Sequence, residues 1–132
     1  MSSAVTKGIR IEVVSEYLKA QSDPRKDRFV FMYTVNISNE GDETVQLRTR
    51  HWVITDANEI VREVRGEGVV GQQPTLEPGE SHQYQSGCIL ETAWGTMHGS
   101  YQFENQELKA FEAEIAPFLL AAPTVTTAQE LN

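Results

Sequence analysis

Apolar residues recur at every second position over much of this chain. Ile9, Ile11 and Val13 alternate with Arg10 and Glu12, the period of a strand with one buried face, so residues 9–18 are read as a first strand. Residues 21–28, with Ser22, Asp23, Pro24 and a run of charges, have turn composition. Phe29, Phe31, Tyr33, Val35 and Ile37 then alternate again and predict a second, central strand. Asn39-Glu40-Gly41-Asp42 tolerates positive φ and closes a hairpin into Val45 and Leu47. There the phase changes: Val45 and Leu47 are odd, Trp52 and Ile54 even, which predicts a β-bulge near residues 49–51.

Residues 56–59 turn the chain into a short, half-charged strand over 60–65 that suits a sheet edge. Residues 66–79, with four glycines and two prolines, predict no persistent secondary structure. Strands follow over 81–90 and over 99–103 with its flanks, anchored by Tyr84, Cys88, Leu90, Tyr101 and Phe103. Phe111, Ala113 and Ile115 alternate with Glu112, Glu114 and Ala116 in a last strand over 110–118. A helix through Leu108, Phe111, Ile115 and Leu119 is disfavoured by Pro117 and by that alternation. About seven strands joined by Gly, Pro, Asn and Asp turns define an all-β class, an immunoglobulin/fibronectin type III-like antiparallel β-sandwich. Trp52 sits on the third strand, where such cores often place a tryptophan, whereas Cys88 has no partner for an inter-sheet cystine.

With 132 residues, 39% of them apolar, the chain fits one domain, expected over 1–125 with a polar C-terminal tail at 126–132. Its net charge of −8 makes it a poor counterion for phosphate backbones and argues against nucleic acid as a partner. Residues 1–50 carry eight basic and seven acidic side chains and residues 51–132 three and twelve, so the later half presents an acidic surface. One cysteine and the lack of a long apolar run predict a cytoplasmic protein without a membrane partner.

The candidate chemistry is sparse. Gly66-Glu67-Gly68-Val69-Val70-Gly71 fits the dinucleotide pattern G-x-G-x-x-G, but Pro74 and Pro78 forbid the helix whose N-terminus would hold a pyrophosphate. The ordinary reading is a tight loop whose glycines take positive φ while Val69 and Val70 tuck inward. A second reading is an amide nest flanked by Arg62, Arg65 and Arg50 that holds a phosphate or carboxylate without a helix. His51, His82, His98 and Cys88 lie on separate segments without metal-ligand spacing, so no metal site and no cofactor are expected. Ser86-Gly87-Cys88 lies inside a strand without a nucleophile elbow, so no catalytic residue is assigned and Cys88 is read as core. Trp94, in a turn, either caps the sandwich or is exposed for a partner.

Arg50-His51-Trp52-Val53-Ile54-Thr55-Asp56, then 64–74 from Val64-Arg65 to Gln73-Pro74, resemble the bacterial ApaG family. Leu76-Glu77-Pro78-Gly79-Glu80, Tyr84-Gln85-Ser86-Gly87, Gly95-Thr96-Met97-His98-Gly99-Ser100-Tyr101 and Ile115-Ala116-Pro117-Phe118-Leu119-Leu120 continue the likeness in order, over about residues 8–120. The resemblance implies a fibronectin type III-like sandwich. It also implies an interaction module, because ApaG-type domains are fused to an F-box protein and to a polymerase-delta-interacting protein. Bacterial members carry a genetic association with cobalt resistance and magnesium efflux, and the family supplies no catalytic residues. Asn58-Glu59 and Trp94 depart from its usual turns.

The function expected is therefore a non-enzymatic binding module for a protein partner. Its contact surface is drawn from Arg50, Arg65, Gly66, Gly68, Gly71 and Trp94, with an added peptide strand along the 60–65 edge as a mode. The alternative is a small-anion domain binding phosphate, pyrophosphate or a nucleotide at the glycine loop. A divalent cation and a second copy of the chain, as a homodimer, complete the candidate partners.

Overall fold

The computed structural model describes residues 1–123, and the tail read at 126–132 lies outside the described residues. Among the described residues nine strands form in chain order: β1 (Ser2–Thr6), β2 (Ile9–Tyr17), β3 (Phe29–Asn39), β4 (Val45–Asp56), β5 (Val61–Glu67), β6 (Thr75–Leu76), β7 (Ser81–Leu90), β8 (Trp94–Asn105) and β9 (Ala110–Ala121). They build two antiparallel sheets, one in the order β1-β2-β3-β7 and the other β5-β4-β8-β9 with β6 attached to β4, packed as a sandwich. Single turns of 3-10 helix at Lys19–Gln21 and Pro24–Lys26 fill the β2–β3 connection.

The strands are those the alternation predicts, with two additions. Ser2–Thr6 has no apolar period, yet it pairs with β2 through a hairpin whose turn residues Lys7 and Gly8 both have positive φ. Thr75 and Leu76 pair with Gln46 and Val45, and Leu76 closes the end of the core at 3% exposure. Residues 66–79 are thus more ordered than their glycines and prolines suggest. Cross-strand pairing supplies what local propensity lacks, and β5 itself runs on to Glu67 opposite Thr49.

The bulge in β4 falls between Leu47 and Thr49, at the early end of the segment where the phase change placed it. Exposed Arg48 absorbs the extra residue, so that Val45, Leu47, Trp52 and Ile54 all face inward. A second register shift lies in the β8–β9 ladder, where Met97 opposes Phe118 but Gly99 opposes Ile115. Pro117, which has no N–H to give a ladder, sits inside it. The inward phase of β9 changes there from Ala113 and Ile115 to Phe118 and Leu120, and the strand continues to Ala121, three residues beyond the predicted end.

Both sheets meet over one apolar cluster. Trp52 lies at its centre, 5.3 Å from the Tyr33 ring of the opposite sheet, 5.9 Å from Phe118 and 6.2 Å from Tyr101. Along one side the sandwich is closed by β9 against β1 and β2, where Ser15 Oγ donates to the Leu119 carbonyl at 2.8 Å and the Glu114 amide donates to Thr6 Oγ1 at 3.2 Å. The other side is a seam between two edge strands, β5 and β7, each paired on one side only among the described residues.

Candidate functional site

The glycine loop is built on Arg50. Arg50 and Gly66 are opposite one another in the β4–β5 ladder, and Arg50 Nη1 donates to the carbonyls of Glu67 and Gly68, both at 2.9 Å. Gly66 makes room for this: a Cβ there would stand 2.8 Å from Arg50 Nη1. Gly68 has φ +65°, and a Cβ on it would come within 2.4 Å of the Gln72 carbonyl oxygen, so no other residue fits. Val69 and Gln72 then exchange two backbone hydrogen bonds, at 2.8 and 3.0 Å, around Val70 and Gly71, which both have positive φ. This is a two-residue hairpin turn of the primed kind. Val69 is buried at 1% exposure, but Val70 points out at 65%, so only one of the two valines tucks inward.

This geometry leaves little of a nest. The Gly68 amide donates to the Arg48 carbonyl at 2.9 Å, and the Val69 and Gln72 amides are used in the turn. Arg65 lies on the opposite face of the sheet from Arg50, beside His51, its partner in the ladder, and 3.6 Å from Glu63. Trp94 is half-exposed at the start of β8, next to Gly95, which opposes Asp56 at the far end of β4. Eight residues of strand separate that end from Arg48 and the loop, roughly 26 Å. The structure thus brings together Arg50, Gly66, Gly68 and Gly71, places Arg65 behind them, and sets Trp94 at the other end.

A richer cluster lies in the seam. A cleft of about 540 Å³ opens between β5 and β7, with Tyr33, Trp52 and Cys88 at its floor, Val64 on its β5 side, the β7 edge at Ile89 on the other, and both Arg50 and Arg62 in its lining. Arg62 Nη2 donates to the Ile89 carbonyl at 2.9 Å and stands 3.8 Å from Cys88 Sγ, tying the two edges together. Deeper in, the hydroxyls of Tyr84 and Tyr101 are hydrogen-bonded to each other. Burial pushes the ionisation of Tyr84 and Tyr101 well above the ordinary tyrosine range, and the nearby Arg50 charge offsets only part of it. Burial likewise raises the Cys88 thiol, against the opposing pull of Arg62, so Cys88 stays a protonated core group. In the sequence these tyrosines counted as apolar anchors. The signal available was their polar tip, since a buried tyrosine hydroxyl needs a partner.

On the outer face of the second sheet His51 Nε2 lies 2.7 Å from Glu63, and His51 and His98 border one shallow cleft with Glu112 and Glu114. Among the described residues no group of three or more His, Cys, Asp or Glu side chains has the geometry to hold a metal ion. No helix among them is long and apolar enough to cross a membrane.

Fold and seam together define a β-sandwich domain with an arginine-braced glycine loop and an open seam between β5 and β7. A profile of the ApaG domain matches residues 19–105. Protein ApaG of Pseudomonas putida is 55% identical over 115 residues, covering 87% of this chain and 91% of that protein. Protein ApaG of an Azoarcus species is 53% identical over 125 residues, covering 95% and 98%. A crystal structure of an ApaA protein from Bordetella pertussis superposes with a TM-score of 0.85 at 50% identity, over 89% of this chain and 95% of the other. The chain belongs to the ApaG family.

Proposed function

We propose that this ApaG-family chain is a non-enzymatic interaction module that takes an extended segment of a protein partner as an added strand along β5. The observation that carries the reading is the hydrogen-bond phase of that edge. Gly68 donates to Arg48 and Asp56 to Ile60, so in the intervening antiparallel ladder the even-numbered residues of β5 bond to β4. The backbone groups of Val61, Glu63 and Arg65 therefore face away from the sheet, and among the described residues their amides have no acceptor. Such a row is a template for a further strand. Six of the seven β5 residues are exposed, so no described residue covers this edge. The lack of catalytic chemistry is supported by the buried thiol of Cys88 and by the scatter of the histidines.

The test uses proline at a position where it removes an outward amide, with Glu63→Ala as the control for the carboxylate that His51 holds. Peptides selected from a displayed library for binding to the protein are compared on the parent and on Glu63→Pro. Because the Glu63 N–H does not bond to β4, this variant keeps the β4–β5 ladder and the fold. Binding is expected to fall at least about ten-fold, the equivalent of one or two net hydrogen bonds. Full-affinity binding to a folded Glu63→Pro protein would remove the β5 edge as the contact surface.

A further inference from the structure

The seam cleft has a chemistry of its own, independent of strand addition. Its floor is aromatic, its β5 wall is the half-exposed Val64, and its lining holds two guanidinium groups. Neither Arg50 nor Arg62 has a carboxylate within ion-pair distance among the described residues, in a chain of net charge −8. Each guanidinium carries five N–H donors. Arg50 commits Nη1 to the loop carbonyls and Arg62 commits Nη2 to Ile89 and Cys88. The remaining donors of both have no acceptor among the described residues. Their positions follow from the ladder. Arg50 stands opposite Gly66, Trp52 opposite Val64 and Ile54 opposite Arg62, so the two cations lie on the same face of the sheet with the Trp52–Val64 pair between them.

We propose that this cleft binds a small organic anion, with its apolar body against Val64 and the aromatic floor and its carboxylate or phosphate head on Arg62 or Arg50. The volume of about 540 Å³ lies within the range of small-molecule sites, and an apolar cleft with few polar groups is their usual build. Charge-assisted bonds from a guanidinium to an oxyanion are the strong, directional kind that would hold the head. An acidic protein repels anions at long range, so affinity must come from these two side chains and weaken with salt.

Phenyl phosphate is the first probe and phenylacetate the second, with phenol and inorganic phosphate as single-feature controls, followed by two-dimensional NMR of the whole chain. The expected result is saturable movement of the Arg62 Nε–H, the Trp52 indole N–H and the Gly87 amide by both organic anions. Binding should be at least about ten-fold weaker for phenol and for inorganic phosphate, and weakened likewise by Arg62→Met. Arg62 also ties the seam, so a second variant separates binding from folding. Val64→Glu lies on the exposed edge strand and puts a carboxylate between the two guanidiniums, where it should block the anions while leaving the rest of the spectrum in place. Arg62→Lys should recover part of the binding. The absence of saturable shifts at millimolar probe, equal binding of phenol, equal binding of inorganic phosphate, or unchanged binding in a folded Val64→Glu protein would each overturn the proposal.

Discussion

Arg50 shows how one side chain can take a part that its neighbours in sequence do not suggest. Beside a glycine-rich stretch it reads as an anion ligand, and its Nη1 in addition braces the loop through the carbonyls of Glu67 and Gly68. The sequence places Arg50 sixteen positions before Gly66, and only the ladder register makes them opposite residues. That is why the glycines were legible as a tight loop while the brace that shapes it was not. Replacing Arg50 with Met leaves those two carbonyls without their donor, so the protein should lose about 1–3 kcal/mol. Urea unfolding measures this, and amide exchange should quicken over residues 66–72. An unchanged midpoint with unchanged exchange would show that the brace is dispensable. Gly68→Asp, in contrast, cannot report on a binding surface, since any side chain there meets the Gln72 carbonyl.

At the scale of the element, alternation located the long strands because each buries one face, and a change of phase located the β4 bulge. The same reasoning applied to Ile115 and Phe118 finds the second register shift, around Pro117, beyond which the strand runs on to Ala121. What alternation could not show are β1 and β6, whose pairing is held by tertiary contacts. Asn39 is the visible link for β6. Buried at the end of β3, its Nδ2 donates to the carbonyls of Leu76 and Glu43, at 2.9 and 2.7 Å, and its Oδ1 accepts the Gly41 amide at 3.0 Å. Asn39→Ala should cost about 1–3 kcal/mol by leaving those groups unpaired. Fluorescence-detected unfolding measures the loss, and exchange at Thr75 and Leu76 tests whether β6 detaches. A loss below a few tenths of a kcal/mol would mean that water replaces all three bonds.

The whole molecule is a sandwich closed on the β1–β9 side and open on the β5–β7 side, with the tyrosine hydroxyls buried near the open seam. Tyr33, Tyr84 and Tyr101 all ionise above the ordinary value of 10.0 because burial disfavours the phenolate. For an acid held neutral by folding, the stabilisation is complete below the unfolded value and is lost as pH rises from there toward the folded one. Stability should hold to about pH 10 and then fall steeply. The fall should be shallower in the double variant Tyr84→Phe/Tyr101→Phe, and equal slopes in urea titrations of the two proteins would contradict the assignment.

Strand addition at the open edge is tested by hydrogen exchange on a peptide complex. With a library-selected peptide bound, the amides of Val61, Glu63 and Arg65 should slow while those of Arg62 and Val64, already bonded to β4, change little. That alternation is what one added strand must produce. Protection confined to other surfaces, or spread evenly along β5, would contradict strand addition.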